Sequence, residues 1–257
     1  MKILTWNMAG AGFHTATPHS AAWDWLLTEA QFDAALLQEA VPPNGLYERF
    51  ETVIFRPRVS SGQKRWGNCI LVRDHVYVDE VFDNGTSWAK VSVPAMQIAR
   101  PHDSLPLLVN IHSSDRHIDG FPREEYVNSG GLTCHRSKVW EIEVAAHLAC
   151  ERLMGRRFVM GGDLNAALLL DKVRRHKNNA RLWANLENQG FHDLRLRHHE
   201  QEQQTFFRSH QKTHPYQLDH FFGDAVTRAR TRSWTVLTEV AQDRHLSDHA
   251  PVLIEID

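Results

Sequence analysis

The sequence predicts an α/β protein, and three observations carry that expectation. Short apolar runs bounded by turn residues recur along the chain, stretches of helical periodicity lie between them, and polar residues able to do chemistry repeatedly close the runs. A chain of 257 residues, 42% hydrophobic and 23% charged, is long enough to bury a sizeable core and is expected to form one domain over residues 1–257.

The apolar runs at residues 3–6, 34–37, 53–55, 69–72, 107–111, 158–160, 218–222 and 252–256 read as buried strands. Helical spacing marks residues 21–30, residues 136–153, where Val139, Ile142, Val144, Ala146 and Leu148 sit among charged neighbours, and residues 179–188. Residues 113–133, with Gly120, Pro122, Gly130 and Gly131, show no period and predict a long surface loop.

Bulk properties exclude several classes. The formal net charge of -2 gives no global basic field, so contact with nucleic acid must use a local patch. Cys69, Cys134 and Cys150 show no CxxC spacing, which argues against a zinc site and fits buried free thiols in a reducing compartment. A strand-like start leaves no room for a signal peptide, and with Met1 as the native start a cytoplasmic protein is expected. No apolar stretch approaches a membrane span, and nothing calls for an obligate protein partner.

Polar residues close the strands: Asn7, Glu39, His112, Asp163 with Asn165, Asp219, and Asp248 with His249. Taken singly, such a residue is more often a cap, a loop hydrogen-bond partner or a solvated side chain. Their repetition changes the weighting. The strings Thr5-Trp6-Asn7, Leu37-Gln38-Glu39, Gly67-Asn68-Cys69, Asn110-Ile111-His112, Gly161-Gly162-Asp163-Leu164-Asn165, Leu218-Asp219-His220 and Ser247-Asp248-His249 resemble, in order, the endonuclease/exonuclease/phosphatase family. That family includes pancreatic-type deoxyribonucleases, abasic-site endonucleases, sphingomyelinases and inositol polyphosphate phosphatases. The resemblance implies a four-layer α/β sandwich, two mixed β-sheets packed face to face with flanking helices.

Phosphodiester hydrolysis needs charge neutralisation, water activation and leaving-group protonation. By resemblance, Glu39 binds Mg²⁺ (Mn²⁺ as substitute), Asn7 lies beside it as an amide ligand or phosphate contact, and Asp248 assists metal or water. Asp163 orients or deprotonates the water, Asn165 contacts the phosphate, and Asp219 holds the His249 imidazole against it. His112 donates to the phosphate or leaving oxygen. Asp163 and Asn165, two apart on an extended backbone, are expected to face one cleft, and Gly161 and Gly162 fit either a close backbone approach or a plain turn. The pair His198-His199 and His14, His19, His117 and His135 read as exposed polar residues without a role.

Substrate choice is less legible. Histidine at 112 resembles the pancreatic-type nucleases and the lipid or inositol phosphatases more than abasic-site endonucleases, and Gly67-Asn68 is reminiscent of the phosphatase and sphingomyelinase side. Asn68, Arg65 and Arg116 are the substrate-binding candidates, with further cations and aromatics at Arg56, Arg58, Lys64, Trp66, Phe121 and Arg123 and in the run Lys172, Arg174, Arg175, His176 and Lys177. These favour a nucleic acid substrate. The competing readings are a phosphatase acting on a small phosphorylated metabolite or headgroup, and a silent binding module, which the intact polar set argues against.

Overall fold

The structure is a computed structural model that describes residues 1–9, 19–57, 66–73, 76–77, 95–101, 106–113, 153, 155–175, 177–207 and 215–257. The predicted helix at 136–153 apart from Leu153, the predicted loop at 113–133 apart from Ser113, and Cys134 and Cys150 lie outside the described residues. So do His14, Arg58, Lys64, Arg65, Arg116, His117, Phe121, Arg123, His135, His176 and the side chain of Arg56.

All eight predicted strands form, within two mixed sheets. The first sheet contains β1 (Lys2–Asn7), β2 (Ala34–Ala40), β3 (Thr52–Pro57), β4 (Gly67–Val72), β11 (Thr231–Val236) and β12 (Val252–Ile256), in the order β11-β12-β1-β2-β4-β3. The second contains β5 (Val76–Tyr77), β6 (Ala95–Pro101), β7 (Leu107–His112), β8 (Phe158–Asp163), β9 (His192–Asp193) and β10 (Asp219–Gly223), in the order β5-β6-β7-β8-β10-β9. Each sheet has a parallel pair at its centre, β1 with β2 and β7 with β8, and antiparallel neighbours outside it.

Side chains alternate across a strand, so a strand covered on both faces reads as a continuous apolar run. Ile3, Leu36, Ile70 and Ile254 of the first sheet meet Leu108, Val159 and Phe221 of the second in the central core. Leu4, Trp6, Leu37 and Leu71 point the other way, onto Trp23, Trp25 and Leu26 of helix α1 (Ser20–Thr28). On the far side Val109, Ile111, Met160 and Phe222 pack against Leu182 and Leu186 of a helix at Asn178–Asn188. The result is helix, sheet, sheet, helix, the layering the resemblance implied.

Short helices at Leu168–Arg174, Ala225–Arg230 and Thr238–Gln242 were not legible, being shorter than the window in which a 3.6-residue period shows. Strand β11 was also missed, because only Thr231 and Trp234 of its six residues are buried and a bulge at Thr231/Ser233 breaks its alternation. Among the described residues no helix is long and apolar enough to cross a membrane.

Candidate active site

The two parallel pairs end on the same edge of the sandwich. Asn7 closes β1 and Glu39 lies near the end of β2, while His112 and Asp163 close β7 and β8 in direct register with each other. Strand β10 runs antiparallel to β8, so its first residue, Asp219, pairs with Asp163. The loop before β12 brings His249. It is anchored to β1 by Trp6 Nε1, which donates to the His249 carbonyl at 2.9 Å, and by Ser247 Oγ, which donates to the Asn7 carbonyl at 2.8 Å and accepts from His249 N at 3.1 Å.

Asp163 is the centre of this group and is almost fully buried. Its Oδ2 accepts from Asn7 Nδ2 at 2.9 Å and from Asn165 Nδ2 at 3.0 Å, and lies 3.9 Å from Nε2 of both His112 and His249. Asn165 shares the cleft with Asp163, but not on an extended backbone as expected: it takes a left-handed φ of 50°, fixed by donation from its N to Asp163 Oδ1 and from its Nδ2 to the Ser113 carbonyl. Gly161 and Gly162 belong to β8 rather than to a turn. A Cβ at Gly162 would stand 1.7 Å from the Ile111 carbonyl oxygen, so the close approach of β7 requires glycine.

His249 Nδ1 is 2.8 Å from Asp219 Oδ2. Burial opposes the imidazolium, but Asp219 and Asp163 outweigh it and raise the His249 pKa to about 10. Asp163 moves up as well, to about 7, because burial and the Asp219 charge outweigh the attraction of His249 and the hydrogen bonds from Asn7 and Asn165. The site is therefore a buried imidazolium between two carboxyl groups.

Glu39 stands at the mouth, 17% exposed, with Oε1 at 3.7 Å from His112 Nε2 and a left-handed φ of 48°. Asn68, fully buried on β4, lies opposite the Gln38-Glu39 segment. Asp248 is half-buried and outside the tight group of Asp163, Asp219 and His249, whose ligand atoms all lie within 4.8 Å of one another. It acts on His249 through its charge. Lys172, Arg174 and Arg175 are exposed at the end of the helix at Leu168–Arg174.

A divalent cation of the magnesium type takes oxygen ligands and keeps several waters. The carboxylates of Glu39 and Asp163 with the amides of Asn7 and Asn165 offer oxygen donors, and Asp219 Oδ1 is buried with no hydrogen-bond partner among the described residues. The donor set fits such a cation. Cys69, the described thiol, is buried on the helix-covered face of the first sheet, and burial holds its pKa well above the ordinary thiol value.

A model of the Endonuclease/Exonuclease/phosphatase family matches residues 4–249. The chain belongs to this family. As a member it is a phosphoric ester hydrolase, of a family that generally uses a divalent metal. Solved structures of similar fold include the 3'-5' exonuclease NExo from Neisseria meningitidis (20% identity, TM-score 0.68, covering 100% of each chain). An AP endonuclease from Archaeoglobus fulgidus is similar at 18% identity and TM-score 0.69, covering 100% of this chain and 99% of its own. The endonuclease domain of TRAS1, a telomere-specific non-LTR retrotransposon, follows at 17% and 0.61, covering 99% and 97%. Among curated proteins, none matches.

Sequence reasoning missed the residues that hold this family's polar set in place here. Thr205 Oγ1 accepts from the backbone N of Leu218 and Asp219, and the Phe206 ring lies 5.0 Å from that of His249. The apolar string Phe206-Phe207 was the available signal. Trp66, named only as one aromatic among several, places its ring 5.8 Å from that of His112. Three histidines set aside as exposed do structural work: His19 Nδ1 accepts from Ala22 N as the cap of α1, and half-buried His198 and His199 approach the carbonyls of Thr231 and Trp234.

Proposed function

We propose that this family member is a Mg²⁺-dependent phosphodiesterase whose substrate is a nucleic acid. The observation that carries the reading is the placement of one buried carboxylate, Asp163, between His249 and His112, with two amides on the same oxygen and Glu39 at the solvent edge.

Asp163 is the group that orients the attacking water and takes its proton, a role suited to a carboxyl group whose pKa lies near 7. His249, held charged by Asp219, faces the phosphate and stabilises the charge that develops on it, and a buried site makes that interaction stronger than it would be in water. His112 donates toward the leaving oxygen, and Asn7 and Asn165 contact the phosphate. Glu39, with Asp248 in support, would hold the divalent cation, which when bound neutralises phosphate charge and lowers the pKa of water. Trp66 at the mouth gives a face for a base or sugar. The nucleic acid reading is supported by the neighbouring folds, one of which is a 3' phosphatase bound to a product DNA hairpin, and by the basic segments at Arg65, Arg116 and Lys172 to Lys177.

The test is cleavage of end-labelled single- and double-stranded DNA and RNA, including 3'-phosphorylated hairpins, with Mg²⁺, Mn²⁺ or EDTA. Metal-dependent cleavage is expected, lowered by roughly 10² to 10⁴ in Asp163→Asn. Release of phosphate from inositol phosphates or nucleotides, with every polymer left intact, would replace the substrate class.

A further inference from the structure

Strands β2 and β4 pair at Leu37 with Cys69 and again at Ala40 with Gly67, so Gln38 and Glu39 together oppose Asn68. This is a β-bulge, and Glu39 adopts its left-handed φ of 48° inside it. Such a conformation persists in a glutamate only where its surroundings over-determine it. In a regular sheet the carbonyls point along the ladder and are out of reach of the sheet above. A bulge splays them.

Those carbonyls have a partner from the facing sheet. Asn110, fully buried on β7, donates through Nδ2 to the carbonyls of Leu37 at 2.8 Å and Cys69 at 3.1 Å, one on each strand beside the bulge. Its Oδ1 accepts from Gln38 Nε2 at 2.8 Å, and the same nitrogen reaches the Leu36 carbonyl at 2.8 Å and Thr5 Oγ1 at 3.0 Å. Carbonyls only accept, so the Asn110 amide has a single orientation that satisfies both its ends, while Gln38 turns its nitrogen to these acceptors and leaves its Oε1 buried with no hydrogen-bond partner among the described residues. One amide thus ties β2 and β4 to β7. Two residues further along β7 stands His112, whose Nε2 is 3.7 Å from Glu39 Oε1.

We propose that Asn110 is a positioning residue: it holds the bulge that aims the Glu39 carboxylate, and so sets the affinity for the divalent cation. The inference rests on the assignment of Glu39 to the metal. Groups that orient a ligand from behind are worth about 10- to 100-fold in metal affinity.

The experiment is calorimetric titration of Mn²⁺ into the purified wild-type protein and into Asn110→Ala, Asn110→Asp, Glu39→Ala and, as an equally buried control far from the bulge, Leu186→Ala. Both Asn110 variants are expected to raise the Kd about 10- to 100-fold, with turnover largely recovered at saturating Mn²⁺, while Leu186→Ala leaves the Kd within about twofold despite lower stability. An unchanged Kd in folded Asn110 variants, with binding lost in Glu39→Ala, overturns the positioning role. Wild-type binding by Glu39→Ala overturns the metal assignment instead. If neither Asn110 variant folds, the double variant with Glu39→Gly decides: glycine takes the left-handed φ without strain, so a recovered cooperative melt supports the proposal and no recovery overturns it.

Discussion

At the scale of single residues, the pair Asp219–His249 is the most consequential contact. The pKa of His249 is raised above its ordinary value, so the pair stabilises the fold fully below pH about 6.5, and that contribution is lost as pH rises through about 10. In Asp219→Asn the burial cost is opposed mainly by Asp163, and the imidazole is expected to titrate well below its wild-type value. Ring-proton NMR of the metal-free protein against pH checks this, and an unshifted titration would refute the pairing. Turnover in the same variant is expected to fall by roughly 10² to 10⁴. The candidate residues were legible because each stands at an end of an apolar run or just before one, where a strand leaves or enters the core. Their supports were less so: Ser247 and Asn110 stood in the resembling strings without a role and Thr205 in none, because their partners lie in distant parts of the sequence.

At the scale of elements, legibility followed length and burial. Strands covered on both faces announce themselves as unbroken apolar runs, whereas edge strand β11 and the short helices leave no periodic trace. The helix at Ala225–Arg230 is nevertheless well anchored. Asp224 accepts from Val226 N, Thr227 N and Thr227 Oγ1 as its N-cap, and from Phe158 N at the start of β8. Partial burial works to raise the Asp224 pKa, and these hydrogen bonds outweigh it, so the carboxyl group titrates below its ordinary value. Its contribution is present above the ordinary carboxylate range and lost as pH falls through the depressed pKa. Asp224→Ala is expected to cost about 1–2 kcal/mol in urea unfolding at neutral pH, with a smaller difference in acid, while turnover stays near wild type. An equal loss at both pH values would sink the account.

At the scale of the whole molecule, the two sheets repeat one pattern of pairing. Strands β1 to β4 are ordered 1-2-4-3 and β7 to β10 are ordered 7-8-10-9, each opening with a parallel pair. The strands that follow each set cross to the other sheet: β5 and β6 flank β7, and β11 and β12 flank β1. Asn7 and Glu39 in one set therefore correspond to His112 and Asp163 in the other, and the site lies where the two meet. A chain ended after Arg230 would lose β11, β12 and His249 and leave β1 as an open edge. It is expected to show no cooperative thermal transition by circular dichroism, and a sharp melt in that fragment would contradict the interlocking.

Strand β1 is thus also a strand that must wait. During synthesis β1 is made long before one of its two neighbours, β12, and His249 of the candidate site comes just before β12. A nascent chain therefore carries Asn7, Glu39, His112 and Asp163 but no partner for the Asp219 carboxylate until translation has passed residue 249, and the buried charges of the candidate site stay unbalanced until then.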